Sequence, residues 1–270
     1  MNPTELKTAL KAGRRVYGTL IVSPSPRWPD VVAGIGLDFV FIDTEHIALD
    51  RAQVSWMCQT YRARGLPPIV RIPSPDPYQA CMVLDGGAAG IIVPYIETPD
   101  QAHAIRGAVK LRPIKGERLE AALRNPAALE PELQAYVDRN NRDSLFVINV
   151  ESTPALARLD ELLAVPGLDA VLIGPHDLSC SLGIPERYDD PRFEEALLGI
   201  IRRARAAGVA AGIHWWGATE RFGPWIEAGL NLIICSTDLT AMRQKLEGDI
   251  RGLRKRNGDA PAGGAAAENI

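Results

Sequence analysis

Four side chains that could do chemistry together stand at the ends of short apolar runs in this 270-residue chain. His46 closes Phe41-Ile42-Asp43-Thr44-Glu45-His46, and Arg71 lies just before Ile72-Pro73. Glu151 follows Asn149-Val150, and Asp177 follows Ile173-Gly174-Pro175-His176. Two separated carboxylates with room for water suit a hard divalent ion, Mg²⁺ or Mn²⁺, with Co²⁺ a further candidate. Arg71 can grip a carboxylate through two parallel N–H groups. A 2-oxo acid chelating that ion would form its enolate more readily, because the developing oxygen charge is stabilised. An imidazole such as His46 suits the proton movement that enolate chemistry needs. Each residue has a plainer use as well. Asp177 and Glu151 can cap the helices that follow them, Arg71 can be a structural ion-pair partner, and His46 can be a surface or loop residue. Asp43 and Glu45 read as supporting or surface groups, and His103, His176 and His214 lack the spacing partners of a zinc site.

For these residues to meet, the runs before them must be neighbouring strands that point the same way. Stretches rich in Val, Ile and Phe recur at Val16–Val22, Asp38–Asp43, Pro68–Ile72, Gly90–Pro94, Leu145–Val150, Asp169–Ile173, Val209–His214 and Asn231–Ser236. They are short and almost continuously apolar, the pattern of parallel strands covered on both faces. Between them lie helix signals: Arg51–Arg64 after Asp50, Ala102–Val109 after Thr98-Pro99-Asp100, and a long helix from Asp190-Pro191 to Ala207, stopped by Gly208. Eight such alternations predict a closed (β/α)₈ TIM barrel of α/β class, whose strand C-termini share one mouth. A doubly wound open sheet is the competitor. Its phosphate loop would follow the first strand, where Ile21-Val22-Ser23-Pro24-Ser25-Pro26 cannot make a Gly-x-Gly-x-x-Gly turn.

The rhythm breaks between the fourth and fifth strands, at Arg112–Asp143, with a polar helix expected over Glu130–Arg139. Such a long βα connection can face substrate, elaborate the surface or touch another subunit. Residues 1–256 are expected to form one barrel domain, and 257–270, rich in Ala and Gly, a flexible tail.

With 46% hydrophobic residues the chain can bury a core that needs no staples. Thirty basic and 33 acidic residues are interspersed, which argues against a nucleic-acid or membrane-surface partner. No apolar run approaches a membrane span. Four scattered cysteines, Cys58, Cys81, Cys180 and Cys235, read as reduced thiols of a cytoplasmic protein. Trp215-Trp216 is expected to place one ring in the core and the other at a mouth or interface. No lysine ends a strand; Lys110 and Lys115 lie in or after a helix, which favours metal over imine chemistry.

Several segments taken together resemble the metal-dependent HpcH/HpaI aldolase family. They are Gly36-Leu-Asp-Phe-Val-Phe-Ile-Asp-Thr-Glu-His46, Val70-Arg-Ile-Pro73, Leu84-Asp-Gly-Gly-Ala88, Val150-Glu-Ser152, Val165-Pro-Gly-Leu-Asp169, and Ile173-Gly-Pro-His-Asp-Leu-Ser179 with Ser181-Leu-Gly183. The likeness runs in order over about Val16 to Leu246. It implies a barrel whose last helix is exchanged between subunits, in trimer-based hexamers. It also implies cleavage and formation of 4-hydroxy-2-oxo acids from pyruvate, or a related 2-oxo acid, and an aldehyde, as in aromatic or sugar-acid catabolism. On this resemblance Glu151 and Asp177 bind the metal, and Arg71 holds the 2-oxo acid and stabilises its enolate. His46 paired with Asp85 moves protons, and the backbone of Gly174, Pro175, His176 and Asp177 helps hold the substrate carboxylate.

The sequence also departs from the family pattern. Asn149 replaces a glutamine that the resemblance places beside metal or substrate, Leu119 replaces a glycine in Arg112–Leu119, and the tryptophan usual near the end of the first strand is absent. The selection of aldehyde is therefore the part expected to differ. The rival readings are a related lyase or synthase acting on citrate-type or acyl-CoA substrates, and a non-enzymatic barrel.

Overall fold

Eight runs of Val, Ile, Leu and Phe form parallel strands that hydrogen-bond in chain order and close on themselves. They are β1 (Val16–Ile21), β2 (Phe39–Asp43), β3 (Pro68–Arg71), β4 (Gly90–Val93), β5 (Leu145–Val150), β6 (Ala170–Ile173), β7 (Ala210–Trp215) and β8 (Leu232–Thr237). The expected (β/α)₈ barrel is present, and every strand falls within one or two residues of its expected position. The computed structural model describes residues 1–125 and 128–260.

Side chains alternate across each strand, so the barrel has two apolar layers. Val40, Ile42, Val70, Ile148, Val171 and Ile213 face outward and pack under the helices. Leu20, Phe39, Phe41, Ile69, Val147, Leu172 and Ile234 face inward and fill the barrel. The helix Pro3–Lys11, which the strand pattern did not signal, contributes Leu6, Ala9 and Leu10 to that inner cluster. Asn231 Nδ2, just before β8, donates to the carbonyl of Leu10, so this helix plugs the end where the strands begin. The opposite end is the mouth.

Helix starts follow their capping residues. Asp50 and Thr98 each make a reciprocal capping box, with Gln53 and Gln101, at the helices Arg51–Ala63 and Pro99–Lys110. The long helix spans Pro191–Ala206.

The Arg112–Asp143 stretch departs from expectation. It follows the helix Pro99–Lys110 and leads into β5, so it is an αβ connection at the plugged end and not a βα loop at the mouth. Two helices form there, Gly116–Arg124 and Pro131–Asn141, around a small core of Leu111, Ala122, Leu129 and Val137. Leu119 packs against this core, and a Cβ at Gly107 would lie 3.2 Å from it. Within the chain Leu119 is a packing residue.

The last helix, Asp238–Asn257, buries only Asp238. Met242, Leu246, Ile250 and Leu253 lie exposed along it at spacings of three and four residues, one apolar stripe that no other described residue covers. Gly258, at φ 72°, caps the helix, and the expected tail beyond residue 260 lies outside the described residues. The four cysteines are free, and no helix among the described residues is long and apolar enough to cross a membrane.

Candidate active site

The inward-facing apolar ladder turns polar two residues above its last rung. In β2, Asp43 stands above Phe39 and Phe41; in β3, Arg71 stands above Ile69; in β7, His214 stands two steps above Ala210. In β5, Asn149 follows Leu145 and Val147, and Glu151 comes one further step on, just past the strand. The two-residue period of a strand thus carries the polar set to the mouth.

These side chains surround a cavity of about 700 Å³. His46, Arg71, Asn149, Gly174, Pro175, His176 and Asp177 line it, together with Asp43, Glu186, His214 and Trp216. No lysine does. Glu151 sits behind Asn149 and Gly174, nine per cent exposed. Its Oε2 accepts from Asn149 Nδ2 at 2.7 Å and its Oε1 from the Tyr95 backbone N–H at 2.9 Å. Burial raises the Glu151 pKa; these two hydrogen bonds oppose the rise, and repulsion from Asp177 and Glu45 adds to it.

Neither metal candidate is a helix cap. Ser152 caps the helix after Glu151, accepting from the Ala155 N–H, and Gly174 occupies the N-cap before the helix Pro175–Ser181. Asp177 has no hydrogen-bond or ion-pair partner among the described residues. A Cβ built on Gly174 would lie 2.8 Å from Glu151 Oε2 and 3.7 Å from Asp177 Oδ2, so both carboxylates reach the same glycine. Beside them Asn149 Oδ1 is buried without a partner. Among the described residues no three His, Cys, Asp or Glu side chains converge as a closed metal cage. Two hard ligands, an orphaned acceptor and a pocket open to small molecules match an ion that keeps positions for water and substrate.

Arg71 is less free than its position in the sequence suggests. Its Nε and Nη2 donate to Asp43 Oδ1 and Oδ2 at 2.8 and 2.6 Å, and Glu45 Oε2 lies 3.0 Å from Nε. Burial pulls the guanidinium pKa down, but Asp43, Glu45 and Glu151 outweigh it and raise it. The fork expected for a ligand carboxylate is taken by Asp43, leaving the Nη1 side for one. Asp43 and Glu45 are thus buried anchors of Arg71.

His46 stands at the rim, about half exposed, with Nε2 3.7 Å from Glu45 Oε1. His176 is also at the rim, with Nδ1 3.6 Å from Glu186. Asp85 does not join them. It ends the helix Pro77–Asp85, which feeds the start of β4 at the plugged end, and it accepts from Arg112 Nη1 at 2.9 Å.

Sequence reading gave Tyr95 and His214 no role in this site, while the expected split of Trp215-Trp216 into a core ring and a mouth ring is met. Tyr95, in the left-handed region at φ 57°, follows β4 and aims its N–H at Glu151; the nearby Glu45 carboxylate, with some burial, pushes its phenol up to about 12. His214 has its Nε2 3.0 Å from the Ser236 carbonyl, and burial holds its pKa down at about 4. Trp216 walls the cavity and stacks on Trp215, which is buried against Tyr188 and Trp225. Tyr95 carries no motif of its own. The β7 alternation from Ala210 was the available signal for His214.

The model of the HpcH/HpaI aldolase/citrate lyase family matches residues 18–243. The chain belongs to that family. It is accordingly an enzyme of the carbon–carbon lyase type. It is 30% identical to the 2-dehydro-3,6-dideoxy-6-sulfogluconate aldolase of Pseudomonas putida over 92% of this chain and 96% of that protein. A hydroxypyruvate/pyruvate aldolase of Sagittula stellata is 31% identical over 88% and 92%. Among solved structures, an HpcH/HpaI aldolase from Desulfitobacterium hafniense superposes with a TM-score of 0.82 at 26% identity, covering 95% of this chain and 99% of that one. A citrate synthase, SbnG, superposes at 0.81, also at 26% identity, over 94% and 99%.

Proposed function

We propose that the enzyme is a metal-dependent class II aldolase that cleaves and forms 4-hydroxy-2-oxo acids through a pyruvate-type enolate and an aldehyde. The observation that carries this reading is the pair Glu151 and Asp177 about Gly174, beside the orphaned Asn149 Oδ1 and across from Arg71. Glu151 and Asp177 hold the divalent ion, Mg²⁺ or Mn²⁺ with Co²⁺ as a further candidate, which supplies Lewis-acid stabilisation of the oxygen charge that develops. Asn149 orients the Glu151 carboxylate. The Nη1 side of Arg71, held in place by Asp43, faces the 2-oxo acid and stabilises its enolate oxygen. The backbone from Gly174 through Pro175 and His176 to Asp177 borders the substrate carboxylate. In cleavage, His46 takes the proton of the C4 hydroxyl, the C3–C4 bond breaks to release the aldehyde, and a proton returned to C3 gives the 2-oxo acid.

Within one chain His46 and Asp85 lie at opposite ends of the barrel, so their pairing requires an Asp85 supplied by a second copy. The uncovered stripe on Asp238–Asn257 supports such an assembly, with the last helix exchanged in a trimer-based hexamer. Mixed His46→Ala and Asp85→Asn chains should then recover activity that neither variant has alone. The free thiols support a cytoplasmic setting.

The aldolase relatives favour aldehyde chemistry; the likeness to a citrate synthase supports a second reading, condensation of the same enolate with another 2-oxo acid. The deciding experiment follows exchange of pyruvate methyl protons under added Mg²⁺ or Mn²⁺, with aldehyde and 2-oxo acid acceptors tested in parallel. Exchange with aldehyde turnover is expected. Absence of metal-dependent exchange overturns the proposal, and exchange with turnover of 2-oxo acid acceptors only selects the second reading.

A further inference from the structure

A second cavity, of about 520 Å³, lies at the plugged end of the barrel, remote from the mouth. It is bounded by the helix Pro99–Lys110, by Pro131–Asn141 of the inserted segment, and by the turn that delivers Asp169 to β6. Arg106 lines it and is only 8% exposed, yet its guanidinium has no hydrogen-bond or ion-pair partner among the described residues. A guanidinium does not shed its proton, and the nitrogens of this one open onto the cavity, so a partly desolvated positive charge faces that space without a counter-charge. Burial accordingly pulls its pKa down.

Its neighbours compound the imbalance. Lys7, Lys11, Lys110 and Arg142 line the same cavity, opposed by Asp138 and Asp169 in its wall and by Asp143, which lies 3.6 Å from Arg142 Nε. Asp169 is already engaged: its Oδ2 is 2.5 Å from Lys110 Nζ and accepts from the Phe146 N–H, while Lys7 lies 3.4 Å from its Oδ1. Asp138 accepts from Gln134. Five cations against three carboxylates leave a surplus of two positive charges. Burial lowers Lys110 to about 8, with Asp169 opposing the effect and Lys7 adding to it, and an added anion would act in the same sense as Asp169.

We propose that this cavity is a second ligand site, separate from the catalytic mouth, that takes a small phosphate-bearing molecule. A phosphate dianion matches the charge surplus, whereas a monocarboxylate leaves one charge unmatched. The guanidinium fork suits phosphate oxygens, and the volume falls in the range of small-metabolite pockets. The site rests on Arg106 and its neighbours alone and does not depend on which reaction the mouth performs.

The test uses the full-length enzyme, with inorganic phosphate and glycerol 1-phosphate as probes, followed by thermal shift and calorimetry at low ionic strength. Both probes should bind saturably and raise the unfolding temperature, glycerol 1-phosphate at least as tightly. Pyruvate should not compete. Arg106→Gln should weaken binding by about tenfold or more, the loss of one charge-assisted pair. Lys11→Ala, at an exposed position, should weaken it by about threefold. Without phosphate, Arg106→Gln should unfold at a higher temperature than the parent, because a partly desolvated, unmatched charge is gone; a merely structural arginine would give the opposite. The proposal is overturned by the lack of a saturable response, as when an acidic side chain of a second copy fills the cavity. It is equally overturned if both variants bind phosphate like the parent, or if pyruvate displaces the probe.

Discussion

Replacing Gly174 by alanine would place a methyl group where the Glu151 carboxylate now lies. The added Cβ falls 2.8 Å from Glu151 Oε2 and 3.0 Å from its Cβ, against the ~3.5 Å of an ordinary contact. Glu151 cannot simply turn aside, because the Tyr95 N–H and the Asn149 amide hold its two oxygens at 2.9 and 2.7 Å. Opening the contact to an ordinary distance takes a shift of about 0.7 Å, which would stretch the longer of these to about 3.6 Å, beyond hydrogen-bond range, and disturbing a group that orients a metal ligand costs about 10–100-fold in affinity. Overpacking adds a stability loss of about 1–3 kcal/mol, or roughly 2–4 °C per kcal/mol for a domain of this size. Calorimetric titration with Mn²⁺ on the folded variant measures the first effect, and thermal unfolding without metal measures the second. Gly199→Ala is the control. A Cβ there meets nothing within 4 Å in the middle of the helix Pro191–Ala206, so it should keep Mn²⁺ affinity and gain about 0.5–1 kcal/mol. If folded Gly174→Ala binds Mn²⁺ as tightly as the parent, Glu151 does not hold the ion and the site has been read wrongly.

Other expectations separate the roles of neighbouring residues. Asp177→Ala should lose Mn²⁺ binding and turnover together, whereas His46→Ala should keep the ion and lose about 10²–10⁴-fold in turnover; loss of the ion in both would move the imidazole onto the metal. Asp43→Asn leaves Arg71 short of its main counter-charge and should cost about 3–5 kcal/mol in urea unfolding, with a fall in turnover; an unchanged midpoint would mean that Glu45 alone suffices. His214 is held near 4 by burial, while an unfolded histidine titrates near 6.5. The unfolded chain therefore binds the extra proton between those values, and stability should decline as pH falls from 6.5 towards 4, by at most about 3 kcal/mol. His214→Gln should flatten that part of the urea-midpoint profile; a profile as steep as the parent's would assign the decline to other groups.

The barrel was legible because its signal is repeated eight times, and the helix starts because capping boxes are local. The mouth residues were legible for a related reason: Arg71, Glu151 and Asp177 each lie at or just beyond a strand end, and strand ends converge. What strand ends could not convey is pairing. Nothing in the order of residues indicates that Asp43 takes the fork of Arg71, since the two meet only when β2 and β3 lie side by side. Tyr95 acts through a backbone N–H, which every residue except proline carries. The Arg112–Asp143 segment was read as a βα connection with its role left open, although the helix signal at Ala102–Val109 stands between it and β4 and already makes it an αβ connection, at the plugged end. The Pro3–Lys11 helix has a clear capping box with Glu5, but without a strand before it the alternating pattern gave it no place.

Tyr95 offers a last consequence. A non-glycine residue at φ 57° carries roughly 1–2 kcal/mol of backbone strain, which glycine would not. Tyr95→Gly would keep the N–H that meets Glu151 and should relax that strain, yet it would remove the phenol that stands by Glu45 at the rim. The position therefore marks a compromise between robustness and activity. A search for hardier variants of this enzyme would be drawn to residue 95, and the gain there should come with a slower catalyst.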